Sequence, residues 1–176
     1  MSPRSVLRPV LVAFGLVIGA GAAAAQPPAQ RSTAEMTATI ERDHPAAYYV
    51  LARRLFAEGR RDEAVFWFYT GQIRFRARLA THPNLPRDGE PALFGSLSEV
   101  DGRPINEYAF GDIPRLAGII DRALAWDAAH PDRYAPQGKA RDDVRAGLAR
   151  MKAQILATAD EIRATRARNG LENRSR

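Results

Sequence analysis

Between Pro45 and Leu79 the apolar residues fall almost wholly on a helical period, which favours helices there, a strand over the aromatic run 64–69 being the competing reading. Tyr48, Leu51, Ala52, Leu55 and Phe56 stand at i, i+3, i+4, i+7 and i+8 and make one stripe on one helix. Pro45 suits its first turn, where an N–H has no intrahelical partner to lose. Gly59 then ends it, because glycine accepts the left-handed backbone that helix ends use. Asp62 and Glu63 open a second helix whose apolar body runs from Ala64 to Leu79. The run Ala64-Val65-Phe66-Trp67-Phe68-Tyr69 is apolar on every side, so this helix is expected to be covered on more than one face. Ile73, Phe75 and Leu79 continue the helical spacing, and the short connection at Gly59 predicts that the two helices run antiparallel.

The remaining sequence extends an all-α reading. A short helix is predicted over Thr33 to Glu41, before the pair described above. From His82 to Gly111 the chain alternates Pro83, Pro86, Pro91 and Pro104 with Gly89, Gly95, Gly102 and Gly111, which excludes long helices. So long an irregular connection is expected to dock short helical turns, such as Ala92 to Val100, on the core. Asp112 is placed to cap a third principal helix, Ile113 to Ala128, with Leu116, Ile120 and Leu124 on one face. A fourth is expected from Arg141 to Arg168, striped by Val144, Leu148, Met151, Ile155 and Ile162. The expected fold is therefore all-α, with four principal helices and a long Pro/Gly-rich connection before the third.

The first residues read as a targeting segment. Arg4 and Arg8 flank an apolar run from Val10 to Ile18, and Ala22 to Ala25 offer a small-residue cleavage site. The apolar stretch falls short of the roughly 20 residues that a spanning helix needs. A signal peptide over 1–25 is expected, then a flexible linker over 26–32, a helical domain over 33–168 and a basic, disordered tail over 169–176. Export to the periplasm or beyond follows from that reading. The 176 residues include no cysteine, which rules out disulfides and a lipid-modified cysteine at the cleavage site. A chain of this length buries about 68–70% of its unfolded surface, so a core can hold it without crosslinks.

Charge is uneven. Residues 31–140 carry 15 basic and 15 acidic side chains, whereas 141–176 carry 9 and 5. After Ile162, Arg163, Arg166, Arg168, Arg174 and Arg176 oppose only Glu172. Such a tail is expected to make at most weak contact with an anionic membrane surface, and cations near a helix C-terminus also suit its dipole. No nucleic-acid partner is expected of an exported chain with this balance.

The pattern Tyr48-x2-Leu51-Ala52-x2-Leu55, Gly59, Ala64-x3-Phe68 and Gly71 resembles one tetratricopeptide repeat over residues 45–78. The turn from Gly59 to Ala64 is also similar to Sel1-type repeats. Where the repeat ends in proline this chain has Arg76, and the next period falls on His82, Leu85 and Pro86, so a single unit is implied. The resemblance implies an antiparallel helical pair that binds a protein or peptide, here in the cell envelope, through Tyr49, Arg53 and Phe56. No cofactor is implied.

Signatures of catalysis are sparse. The chain has no cysteine nucleophile, no G-x-S-x-G elbow, no phosphate-cradling glycine loop and no H-E-x-x-H. His44, His82 and His130 each precede proline, which explains them as helix borders rather than as metal ligands. Glu90, Glu99, Asp101 and Glu107 lie in the irregular region, and paired carboxylates there are what a small glycan hydrolase would need. A periplasmic inhibitor or immunity-type protein is the other alternative, and it calls for a rigid loop projecting from the Pro/Gly-rich segment. The leading expectation is an exported helical protein-binding module without catalytic activity.

Overall fold

The computed structural model describes residues 31–175, so the expected signal peptide and most of the linker lie outside the described residues. Eight α-helices and one short 3-10 turn make up the architecture, with no strand among the described residues. They are α1 (Thr33–Thr39), the 3-10 turn (Ile40–Arg42), α2 (Ala46–Ala57), α3 (Arg61–Thr81), α4 (Glu90–Val100), α5 (Gly102–Ala109), α6 (Ile113–Ala129), α7 (Lys139–Ala157) and α8 (Ala159–Arg168).

Local chemistry sets most boundaries. Ser32 and Glu35 form a reciprocal capping box at α1, the Glu35 N–H donating to Ser32 Oγ at 3.2 Å and the Ser32 N–H to Glu35 Oε2 at 2.7 Å. The carboxylate of Asp112 accepts from the Arg115 N–H at 3.1 Å and caps α6, as its position predicts. Gly59 adopts φ +79°, and the Arg60 N–H closes the end of α2 on the Leu55 carbonyl at 2.9 Å.

Helix α3 is the axis. Eleven of its 21 residues are buried, and it packs against α2, α4, α5, α6 and α7. The approach of α2 depends on Gly71, where an added Cβ would lie 2.8 Å from Tyr48 Cβ. Aromatic rings fill the space between: Tyr49 meets Phe68 and Phe75 edge-on at 5.5 and 6.2 Å, and Trp67 meets Trp126 of α6 at 5.2 Å.

A buried ionic cluster fastens α3 to α6 and α7. The carboxylate of Asp127 on α6 accepts from Arg74 Nε at 3.0 Å, Arg141 Nη2 at 3.0 Å and Arg145 Nε at 2.8 Å. Arg74, Arg141 and Asp127 are all essentially inaccessible to solvent. Further donors of Arg74 go to the carbonyls of Pro131 at 2.8 Å and His130 at 3.1 Å, and its guanidinium lies 4.9 Å from the centre of the Trp126 ring. The two buried cations are tolerable because the Asp132 carboxylate, 3.9 Å from Arg74 Nη1, joins Asp127, with carbonyls and a ring face taking up the remaining N–H groups. This cluster fixes where α7 stands along α3.

Three expectations are corrected. The Pro/Gly-rich connection carries more helix than expected: the turn expected from Ala92 to Val100 is α4, which starts at Glu90 with Pro91 in its first turn, and α5 follows it. A projecting rigid loop of the kind an inhibitor would use is replaced by those two helices. The single fourth helix is divided, with Thr158 as a non-helical residue between α7 and α8. Residues 169–175, expected to be disordered, fold back: the Arg174 N–H donates to the Gly111 carbonyl at 2.6 Å, and the Leu171 N–H to Arg166 at 2.9 Å. The Arg174 guanidinium lies 3.7 Å over the Tyr108 ring, and Arg166 is buried with Nη2 on the Glu172 carbonyl at 2.7 Å.

Candidate functional site

The residues singled out on α2 part company in the structure. Tyr49 has no exposed surface: its ring packs on Phe68, Phe75 and Phe94, so it is out of a partner's reach. Burial pushes its hydroxyl well above the usual tyrosine range. Arg53 is exposed and lies 3.7 Å from the carboxylate of Asp101, whereas Phe56 is half-buried against Tyr108 with Arg61 at 5.4 Å over its ring. The i, i+4 pair of Tyr49 and Arg53 therefore does not form a surface, because Tyr49 turns inward beneath α4.

The four carboxylates of the supposed loop go to different places. Glu90 takes Arg78 bidentately at 3.1 and 3.1 Å, which holds its carboxyl below the usual range, with His44 at 3.4 Å. Glu99 pairs with Arg103 on the surface. Asp101 is buried at the junction of α4 and α5 with neither oxygen hydrogen-bonded, and that burial raises its carboxyl above the usual range against the pull of Arg53. Glu107 borders a shallow pocket with Phe56, Arg61, Tyr108, Glu172 and Arg174, where cations and acids are mixed. The three histidines do not converge: His82 and His130 cap the ends of α3 and α6, and His44 precedes α2. Among the described residues no group of three or more His, Asp or Glu side chains is arranged to hold a metal ion.

An apolar concavity lies elsewhere. A groove of about 570 Å³ runs over α3, between α4 on one side and α7 on the other. Its floor is Tyr69, Gln72, Ile73, Arg76 and Leu79, which repeat at i, i+3, i+4, i+7 and i+10. One wall is Phe94 of α4; the other is Val144, Gly147, Leu148 and Met151 of α7, again at i, i+3, i+4 and i+7. Tyr69 is anchored at one end, its hydroxyl donating to Asn106 Oδ1 at 3.0 Å, while Gln72 Nε2 donates to Ser98 Oγ at 3.2 Å. Tyr49, though buried, supports the Phe94 wall at 6.5 Å between ring centres.

The groove continues onto an unusual helix. α4 buries none of its residues, and Leu93 and Val100 are 41% and 68% exposed. Met151 across the groove is 38% exposed.

No family model matches the chain, and no solved structure matches it. An uncharacterized protein of Haemophilus influenzae is 37% identical to it over 87 residues, which is 49% of this chain and 34% of that relative. The matched part thus spans about a third of the relative's length. Among the described residues no helix is long and apolar enough to cross a membrane.

Proposed function

We propose that the protein is an exported helical module of the bacterial envelope that binds another protein and performs no catalysis of its own. On this reading α2 and α3 are the two helices of a tetratricopeptide-like hairpin over residues 45–78, and export rests on the signal-like sequence before Gln26. One observation carries the binding role: the groove over α3 is lined by apolar side chains at helical spacing from two helices and holds no carboxylate. A surface built from two such ridges takes an amphipathic helix of a partner, whose own ridge enters the space between them. The binding face therefore lies on α3, α4 and α7 instead of on Tyr49, Arg53 and Phe56 of α2.

Gly147 supplies the variant that tests it. A Cβ at that position meets only Arg150 Nη2, at 3.9 Å, so a larger side chain fits the fold while filling the groove. The full chain with an affinity tag, expressed in its own envelope beside Gly147→Leu, is captured and the retained proteins are quantified by mass spectrometry. The reading expects a protein held by the parent and lost by Gly147→Leu; identical retention by both removes the groove from consideration.

A further inference from the structure

The charges around the groove say more about its occupant than its apolar lining does. Arg76 lies on the groove floor at the solvent edge, with its guanidinium 5.1 Å over the Phe94 ring and Nε donating to Gln72 Oε1 at 3.0 Å. Arg150 stands on the opposite side, with Nη2 over the Gly147 backbone. Among the described residues neither guanidinium is in an ion pair, whereas Arg53, Arg60, Arg74, Arg78, Arg141 and Arg145 each face a carboxylate within 4 Å. The neighbouring Lys152 of α7 is taken up by Asp121 at 2.5 Å. Two unneutralised cations thus flank an apolar groove that contributes no acid.

We infer that the groove takes an acidic amphipathic helix, its apolar face on Ile73, Phe94 and Leu148 and its flanking Asp or Glu side chains on Arg76 and Arg150. This rests on the protein-binding reading above and narrows it to one partner chemistry. Geometry supports a helix: the lining of α3 from Tyr69 to Leu79 spans about 15 Å at 1.5 Å per residue, which is close to three helical turns. Gly147 leaves space for an approaching backbone between the two walls. Arg76 is preorganised, because stacking on Phe94 and the bond to Gln72 hold its planar fork while leaving its terminal nitrogens to a carboxylate. A charged residue beside an apolar seat selects among helices that fit the seat equally well.

The experiment is a displayed library of 15-residue helical peptides, apolar on one face, with Asp, Glu, Lys, Arg, Ser and Gln varied at the two flanking rows. It is selected on the full chain and on Arg76→Glu/Arg150→Glu, two exposed positions whose exchange leaves the core intact. The parent is expected to enrich acids at the flanking rows at least tenfold, and the double variant to enrich Lys and Arg at the same rows. Peptides enriched with no charge preference, or with the same preference on both proteins, overturn this inference and leave the groove standing. If no peptide is enriched that Gly147→Leu fails to hold, the inference and the protein-binding reading of the groove both fall. Circular dichroism of each variant confirms that the selections compare folded proteins.

Discussion

Helices α3 and α4 lie side by side and invert the usual relation between composition and burial. α3 carries six charged side chains in 21 residues and buries eleven of its residues, including Arg74. α4 carries two in 11 residues, with Leu93, Phe94, Leu97 and Val100 among the rest, and buries none. Burial therefore follows position, not hydropathy: α3 has neighbours all round, whereas α4 has α2, α3 and α5 on one side and open solvent with the groove on the other. An apolar helix left uncovered beside a fixed, ion-clamped helix is the structural basis for reading this side as the one that meets a partner.

The difference is open to attack from both sides. Asp127→Ala removes the acid that three arginines share, leaving the buried Arg141 without a counter-charge and the buried Arg74 with only Asp132 at 3.9 Å. It should cost about 3–5 kcal/mol in urea unfolding, the largest effect of any change considered. Gly71→Ala places a methyl group 2.8 Å from Tyr48 Cβ, so α2 and α3 must separate, at about 1–3 kcal/mol by the same measurement. On the groove side the expectation reverses. Gly147→Leu should leave stability unchanged or raise it by about 0.5–1 kcal/mol, since glycine is a poor residue inside a helix. It should weaken partner binding by at least about tenfold, or 1.4 kcal/mol, by titration calorimetry. A core that tolerated Asp127→Ala, or a groove whose filling unfolded the protein, would erase the contrast between the two sides.

The smallest effect concerns Asp101. Its carboxyl is raised in the folded chain by burial, so the native state holds the proton more tightly than the unfolded state does, and stability falls as pH rises from the ordinary carboxylate value through the raised one. Above that window the penalty is complete; below it the penalty is absent. Asp101→Asn should thus raise Tm at pH 7 by about 2 °C and give no advantage near pH 3. Equal Tm differences at both pH values would show that Asp101 ionises in the fold as freely as it does in the unfolded chain.

Much of this was legible in the sequence where the signals are local. The Tyr48 to Phe56 stripe, the left-handed Gly59 and the Asp112 cap depend on neighbours within one or two turns, and each element is found within a residue or two of its expected place. In the segment 82–111 the helical turn from Ala92 to Val100 is legible, but α5 is not, because proline and glycine read as breakers whereas Pro91 and Pro104 occupy the opening turns of α4 and α5. The break at Thr158 left no trace, since the apolar spacing carries on from Ile155 to Ile162. The inward turn of Tyr49 is not legible, because nothing in the sequence shows that α4 covers it. The groove is a relation among residues 69–79, 94 and 144–151, and its one visible hint was Arg76, the position where the repeat pattern is broken.

The central claim is that the partner sits over α3 between α4 and α7. Site-specific photocrosslinking in the producing cell tests it, with benzoylphenylalanine in place of Met151 in the groove and, separately, of Ala34 on the outer face of α1. A single protein adduct at position 151 that is missing at position 34, and that disappears when Gly147→Leu is added, is the predicted result. No adduct at 151, or the same adducts from both positions, would contradict it.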